Sequence, residues 1–115
     1  MAGPISRDLL PDTTDISSGE HTLVGGCDLL ELTHEFGTPL FVYDETHLRS
    51  RCREAVEAFD GNVAYATKAF LCTEMARLAY QEGMNLDVAT GGELYIARKA
   101  DVPGERIVMH GNNKS

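Results

Sequence analysis

A lysine, an aspartate and a histidine stand in three short β-rich runs: Val63-Ala-Tyr-Ala-Thr-Lys68, Asn85-Leu-Asp87-Val-Ala89 and Ile107-Val-Met-His110. An amine, a carboxylate and an imidazole can hold and move protons, and an amine can also form a Schiff base with an aldehyde. In an extended strand Ala64 and Ala66 share a face with Lys68. Their small side chains leave room for a planar ligand and are expected to desolvate the amine in part, which lowers a lysine pKa. A lysine that merely reaches solvent from a strand end accounts for the pattern at least as well, so the Ala-x-Lys spacing alone decides nothing.

The elements that would position these residues follow a rhythm. The spacing predicts strands at 63–68, 85–89 and 107–110, each starting 22 residues after the last, with helices over 73–82 and 91–100 between them. Parallel neighbours need a helical crossover, so the pattern predicts a parallel α/β sheet or barrel. Alternation places Leu86, Val88, Ile107 and Met109 toward the helices. The opposite face carries Lys68, Asp87 and His110 at C-terminal strand ends, where parallel α/β folds place binding groups.

Upstream, residues 1–20 lack an apolar period and read as a mobile leader or a strand awaiting a partner. A short helix is predicted from Cys27 to Phe36, with Asp28 at its acidic start and Gly37 and Pro39 at its end. Leu40-Phe-Val-Tyr43 reads as a β-rich run. Asp44 then caps a helix whose apolar stripe is Leu48, Cys52, Ala55, Val56 and Phe59, and Gly61 ends it. Thr90-Gly-Gly-Glu93 has the spacing of a helix-capping box, a structural role. Tyr65 points to the packed side. Cys72 reads as a small buried residue, and His21, His34 and His47 as solvated or helix-surface groups.

Length and composition limit the functions open to the chain. Its 115 residues allow one modest domain or part of a larger protein. A hydrophobic fraction of 43% and a charged fraction of 24% fit a soluble globular protein. A formal charge of −8 opposes a nucleic-acid partner, which would require clustered Lys and Arg. Cys27, Cys52 and Cys72 form no C-x-x-C pair, so neither a disulfide framework nor a zinc site is expected. With no membrane-length apolar run and no secretory signal, the expected location is the cytoplasm.

Longer motifs add a resemblance. Tyr65-Ala-Thr-Lys68-Ala-Phe70, followed by Met75, Ala76, Ala79 and Gly83, resembles the cofactor-attachment signature of the fold-type III, alanine-racemase-like decarboxylases. Glu35-Phe-Gly-Thr-Pro-Leu-Phe-Val-Tyr-Asp-Glu45, Leu86-Asp-Val-Ala-Thr-Gly-Gly-Glu-Leu94 and His110-Gly-Asn-Asn-Lys-Ser115 occur in the order and spacing of the diaminopimelate decarboxylases. Individual pieces also occur, with changes, in ornithine and arginine decarboxylases, so the family is better defined than the substrate.

The resemblance, from about Thr22 to Ser115, implies the N-terminal portion of a (β/α)8 barrel. It implies that Lys68 is the catalytic attachment point for pyridoxal 5'-phosphate, that Asp87 is an acid close to the cofactor, and that His110 faces the same cavity. Asp87 could equally serve a strand-to-helix turn, and His110 a structural hydrogen bond. Residues 1–38 would be a leader and short helix associated with a β domain, and 39–115 the first βα units of the barrel. A barrel of eight strands typically needs ~250 residues, so the chain is expected to be an N-terminal fragment, inactive alone, of a homodimeric enzyme acting on a small amino acid. A noncatalytic interaction module is the alternative from a different class.

Overall fold

The computed structural model describes residues 5–17 and 19–111. The chain forms two compact units that meet in sequence between Leu48 and Arg49.

The N-terminal unit contains a two-residue antiparallel hairpin, β1 (Leu23–Val24) and β2 (Cys27–Asp28), and the helix α1 (Leu29–Phe36). Gly25 and Gly26, both at positive φ, make the hairpin turn that favours glycine at both central positions. Asp28 caps α1 by accepting from the Leu30 N–H, and Gly37 follows the helix at φ 80°. The leader is tied down by backbone bonds between Asp15 and Leu23. Leu40–Tyr43 forms no strand: Phe41, Val42 and Tyr43 are exposed, with no neighbouring strand paired to them among the described residues. A β-prone run stays a loop when its backbone groups have no ladder to join.

The anchor of this unit is polar. Asp44 is only 6% exposed and accepts from the Thr13 backbone N–H and hydroxyl and from the His47 N–H. Burial pushes its carboxyl up, but the bonds from the Thr13 side chain and backbone and from the backbone of His47 and Thr46 outweigh that and hold it below the usual carboxylate range. His47, on the surface of the next helix, accepts the Asp12 backbone N–H at Nδ1.

Helix α2 (Glu45–Ala58) spans the division between the units. In the second unit its Cys52 is buried, whereas Phe59, expected on the same apolar stripe, is 61% exposed just past the helix end. Arg49 and Arg53 both reach Glu82, at 2.9 and 2.6 Å.

The rest of the second unit is a three-stranded parallel sheet in the order β3 (Ala64–Ala66), β4 (Asn85–Val88), β5 (Ile107–Met109). Helix α3 (Thr73–Gln81) connects the first pair and α4 (Gly91–Lys99) the second. The strands are shorter than predicted, β3 most of all. In particular, Thr67–Ala69 forms a 3-10 turn, so Lys68 stands two residues past the last strand residue, Ala66.

Leu86 and Val88 are fully buried, while Asn85 and Asp87 between them are only partly covered. Met75, Ala76, Leu78 and Ala79 of α3 and Ala97 of α4 supply the opposing surface, and both helices contact β4. Full burial of a leucine or valine contributes about 1.5–3 kcal/mol, so one face of β4 organises the core and leaves the other available.

Candidate active site

The open face carries the residues singled out from the sequence. Register pairs Ala66 with Asp87 and Asp87 with Val108, so these three form one row across the sheet. Lys68, Ala89 and His110 each lie two residues further along, at the C-terminal ends of the strands. Exposure alternates down β3 and its extension: Ala64, Ala66 and Lys68 are exposed, while Tyr65 is partly covered and Thr67 buried. The direction of Lys68 thus agrees with the strand alternation although its backbone has left the strand.

Asp87 and His110 come together. His110 Nδ1 lies 2.5 Å from Asp87 Oδ1, and the His110 backbone N–H donates to the Val88 carbonyl, extending the ladder past β5. Asp87 is therefore engaged by a histidine 23 positions away. Tyr65 turns to the packed side, as its alternation predicts, and its hydroxyl donates to the Phe70 carbonyl.

Three residues depart from expectation. Cys72 is exposed, and it caps α3 with Sγ accepting from the Met75 N–H. Glu93 does more than close a capping box. Thr90 Oγ1 accepts the Glu93 N–H as the motif requires, but the Glu93 carboxylate takes the Ala89 N–H and also approaches Thr67 Oγ1. The Ala89 N–H is the chief cause holding the Glu93 carboxyl below its ordinary range, against the opposing effect of burial. Thr67 itself was not singled out; its place in the alternation, opposite to Lys68, was the available signal. Asn112, Asn113 and Lys114 lie outside the described residues.

A groove of about 460 Å³ in the N-terminal unit, lined by Val24, Leu32, Phe36, Phe41 and Tyr43 among others, contains none of Lys68, Asp87 or His110. It is mainly apolar and offers no amine or imidazole. The chemistry-bearing groups lie instead on an open sheet face.

Residues 45–115 match the family described as pyridoxal-dependent decarboxylase, pyridoxal binding domain. The chain belongs to the pyridoxal-dependent decarboxylase family. It is 57% identical over 94 residues to the diaminopimelate decarboxylase of Mycobacterium tuberculosis, covering 80% of this chain and 21% of that protein. The corresponding Bacillus subtilis enzyme is 49% identical over 100 residues, or 83% of this chain and 23% of the relative. A crystal structure of an Aquifex aeolicus protein aligns with a TM-score of 0.81 at 36% identity, over 90% of this chain and 26% of that one. The diaminopimelate decarboxylase of M. jannaschii in co-complex with L-lysine aligns over the same shares at 0.75 and 36%.

The chain spans only about a fifth to a quarter of the curated relatives it matches. Its parallel βα units are the opening of the (β/α)8 barrel of these decarboxylases.

The residues present fit the family's pyridoxal phosphate. Ala64 and Ala66 place only methyl groups on the face of Lys68, leaving space for a flat ring. A β-carbon at Gly111 would stand 3.2 Å from the Ala89 carbonyl oxygen, so the backbones approach closely beside His110. An amine, a carboxylate and an imidazole on one face suit an aldehyde-bearing aromatic anion.

Proposed function

We propose that the full-length protein carrying this chain decarboxylates meso-2,6-diaminopimelate to L-lysine and carbon dioxide, with Lys68 attaching pyridoxal phosphate. One observation carries this reading: Lys68 stands on the open face at the C-terminal end of β3, within a chain 57% identical over 94 residues to a diaminopimelate decarboxylase.

When bound, pyridoxal phosphate supplies an electron sink for the electrons of the broken carbon–carboxylate bond. Lys68 Nζ holds the cofactor and, once freed by the substrate's amine, accepts or returns a proton at that atom. Asp87 orients His110 through Nδ1, which leaves Nε2 available to the cavity. Together they put a carboxylate and an imidazole on the same sheet face as Lys68, while Ala64 and Ala66 keep that face clear for a planar ring.

The family likeness also supports a homodimer, a cytoplasmic location and a division in which residues 1–38 associate with a β domain and 39–115 begin the barrel. Among the described residues no helix is long and apolar enough to cross a membrane.

The test is carbon dioxide release by the purified full-length protein given diaminopimelate, ornithine or arginine. Turnover of diaminopimelate is expected; turnover of either other amino acid without it overturns the substrate assignment. Borohydride reduction of the loaded protein followed by peptide mapping is expected to label Lys68, and a label elsewhere would remove Lys68 from its role.

A further inference from the structure

Thr67 and Glu93 join three elements where the chain turns out of β3. Thr67 is 1% exposed, and its hydroxyl lies 2.9 Å from the Asp87 carbonyl oxygen and 3.1 Å from Glu93 Oε1. The other Glu93 oxygen accepts the Ala89 N–H at 2.9 Å. One buried hydroxyl proton thus sits between a β4 carbonyl and a carboxylate at the start of α4, and the same carboxylate grips the end of β4.

Lys68 follows Thr67 directly. The 3-10 turn that carries it has no side-chain cap at its start, and such turns have poorer hydrogen-bond geometry than an α-helix. Its backbone direction must be set from outside the turn. Three bonds do so: Thr67 is held on one side by Asp87 and Glu93, and Phe70 on the other by the Tyr65 hydroxyl. Lys68 is exposed between these two attachments, with a long side chain whose reach depends on where its Cα is held.

We propose that Thr67 and Glu93 are positioning residues for Lys68, acting through the backbone of Thr67–Ala69 to set the origin and direction of the amine. The inference rests on the reading of Lys68 as the cofactor anchor and adds to it two residues that do not lie on the open face with Lys68. An ordinary capping glutamate returns to the N-cap N–H of its own helix. The Glu93 carboxylate has Thr90 as a partner too, and in addition its two oxygens reach the residues just past the ends of β3 and β4.

The test uses the full-length protein, pyridoxal phosphate as probe, and Thr67→Val, Thr67→Ser, Glu93→Ala and Glu93→Gln variants. Cofactor affinity is read by absorbance across a pH series, the attachment point by borohydride labelling, and folding by circular dichroism and thermal unfolding. Loss of the link in Thr67→Val or Glu93→Ala is expected to weaken cofactor binding about tenfold and to displace the pH profile of the lysine–cofactor linkage. Thr67→Ser and Glu93→Gln, which keep a hydroxyl and an accepting oxygen, are expected to restore both.

Wild-type affinity and pH profile in a folded Thr67→Val protein would overturn the proposal. So would a fall in thermal stability with an unmoved profile, the signature of a purely structural contact. Should Thr67→Val not fold, Glu93→Ala decides on the same readouts. A wild-type protein unlabelled at Lys68 would instead defeat the anchor reading, an outcome that the variants cannot mimic.

Discussion

The two ends of the parallel sheet use polar residues in opposite ways. At the end where the strands begin, Arg106 donates to Asn85 Oδ1 and to the Gly83 and Met84 carbonyls, with its guanidinium 5.2 Å from the centre of the Tyr80 ring. At the end where they finish, Lys68 and His110 are exposed and Asp87 shares its carboxylate with His110. One end spends its cation on carbonyls and an amide; the other presents its amine to the surface. Barrel enzymes divide stability and chemistry in this way because the loops that can carry a reaction follow the C-terminal strand ends. Between the ends, Leu86 and Val88 make the hydrophobic layer on which both depend.

Removing the exposed amine should separate chemistry from stability most sharply. Lys68→Ala in the full-length protein is expected to lower decarboxylation by roughly 10³-fold or more, with thermal unfolding almost unmoved because the side chain is exposed. Assay and melting curve on one preparation check both halves. Persistent turnover would remove the distinction between the ends.

Leu86→Ala strikes the layer they share. Its cost is expected at about 2–5 kcal/mol in urea unfolding, since a fully buried side chain leaves a cavity. A value near zero would mean that the sheet does not depend on this core.

Arg106→Ala tests the other end. It strands the Asn85 oxygen and two carbonyls, and a loss of about 2 kcal/mol is expected, while borohydride labelling at Lys68 continues at the wild-type level. Loss of labelling in a folded protein would show that the division of labour is not clean.

The smallest effect is a difference in pH dependence. Glu93 has a folded pKa below its ordinary value of 4.5, chiefly through the Ala89 N–H. Its contribution is therefore fully present above pH 4.5 and is lost as pH falls from there through the lowered folded value. The Arg106 cluster at the opposite end contains an amide and carbonyls, which do not titrate in that window. Wild-type stability should thus fall more steeply below pH 4.5 than that of Glu93→Gln, whereas Arg106→Ala should keep the wild-type slope. Parallel curves for wild type and Glu93→Gln would remove the charge on Glu93 from the account.

Local chemistry made much of this arrangement legible in the sequence. The alternation of Leu86 and Val88 against Asn85 and Asp87 appears as burial in the sheet, and the caps at Asp28, Asp44 and Thr90 form where their side chains can reach nearby N–H groups. The hairpin at Gly25-Gly26 was equally local, yet its strands are only two residues long and carry no alternation to reveal them. The early turn at Thr67 was hidden for a different reason. Its hydroxyl finds partners 20 and 26 residues away, and no propensity at Thr67 specifies them. Leu40–Tyr43 erred in the reverse sense: β-prone side chains were present, but no strand pairs with them among the described residues.

The sequence by itself determined the order of the helices and of the three parallel strands, the face on which Lys68, Asp87 and His110 fall, and the family to which their motifs point. Strand period, helix period and capping are properties of neighbouring residues, so they survive without knowledge of the fold. Only the tertiary structure decided that Asp87 meets His110, that Glu93 reaches Thr67, and that Lys68 departs from its strand. Those outcomes depend on register between strands whose paired residues are 21 apart in sequence and on contacts spanning up to 26 residues, where a hydrogen bond forms only after packing has brought its donor and acceptor together.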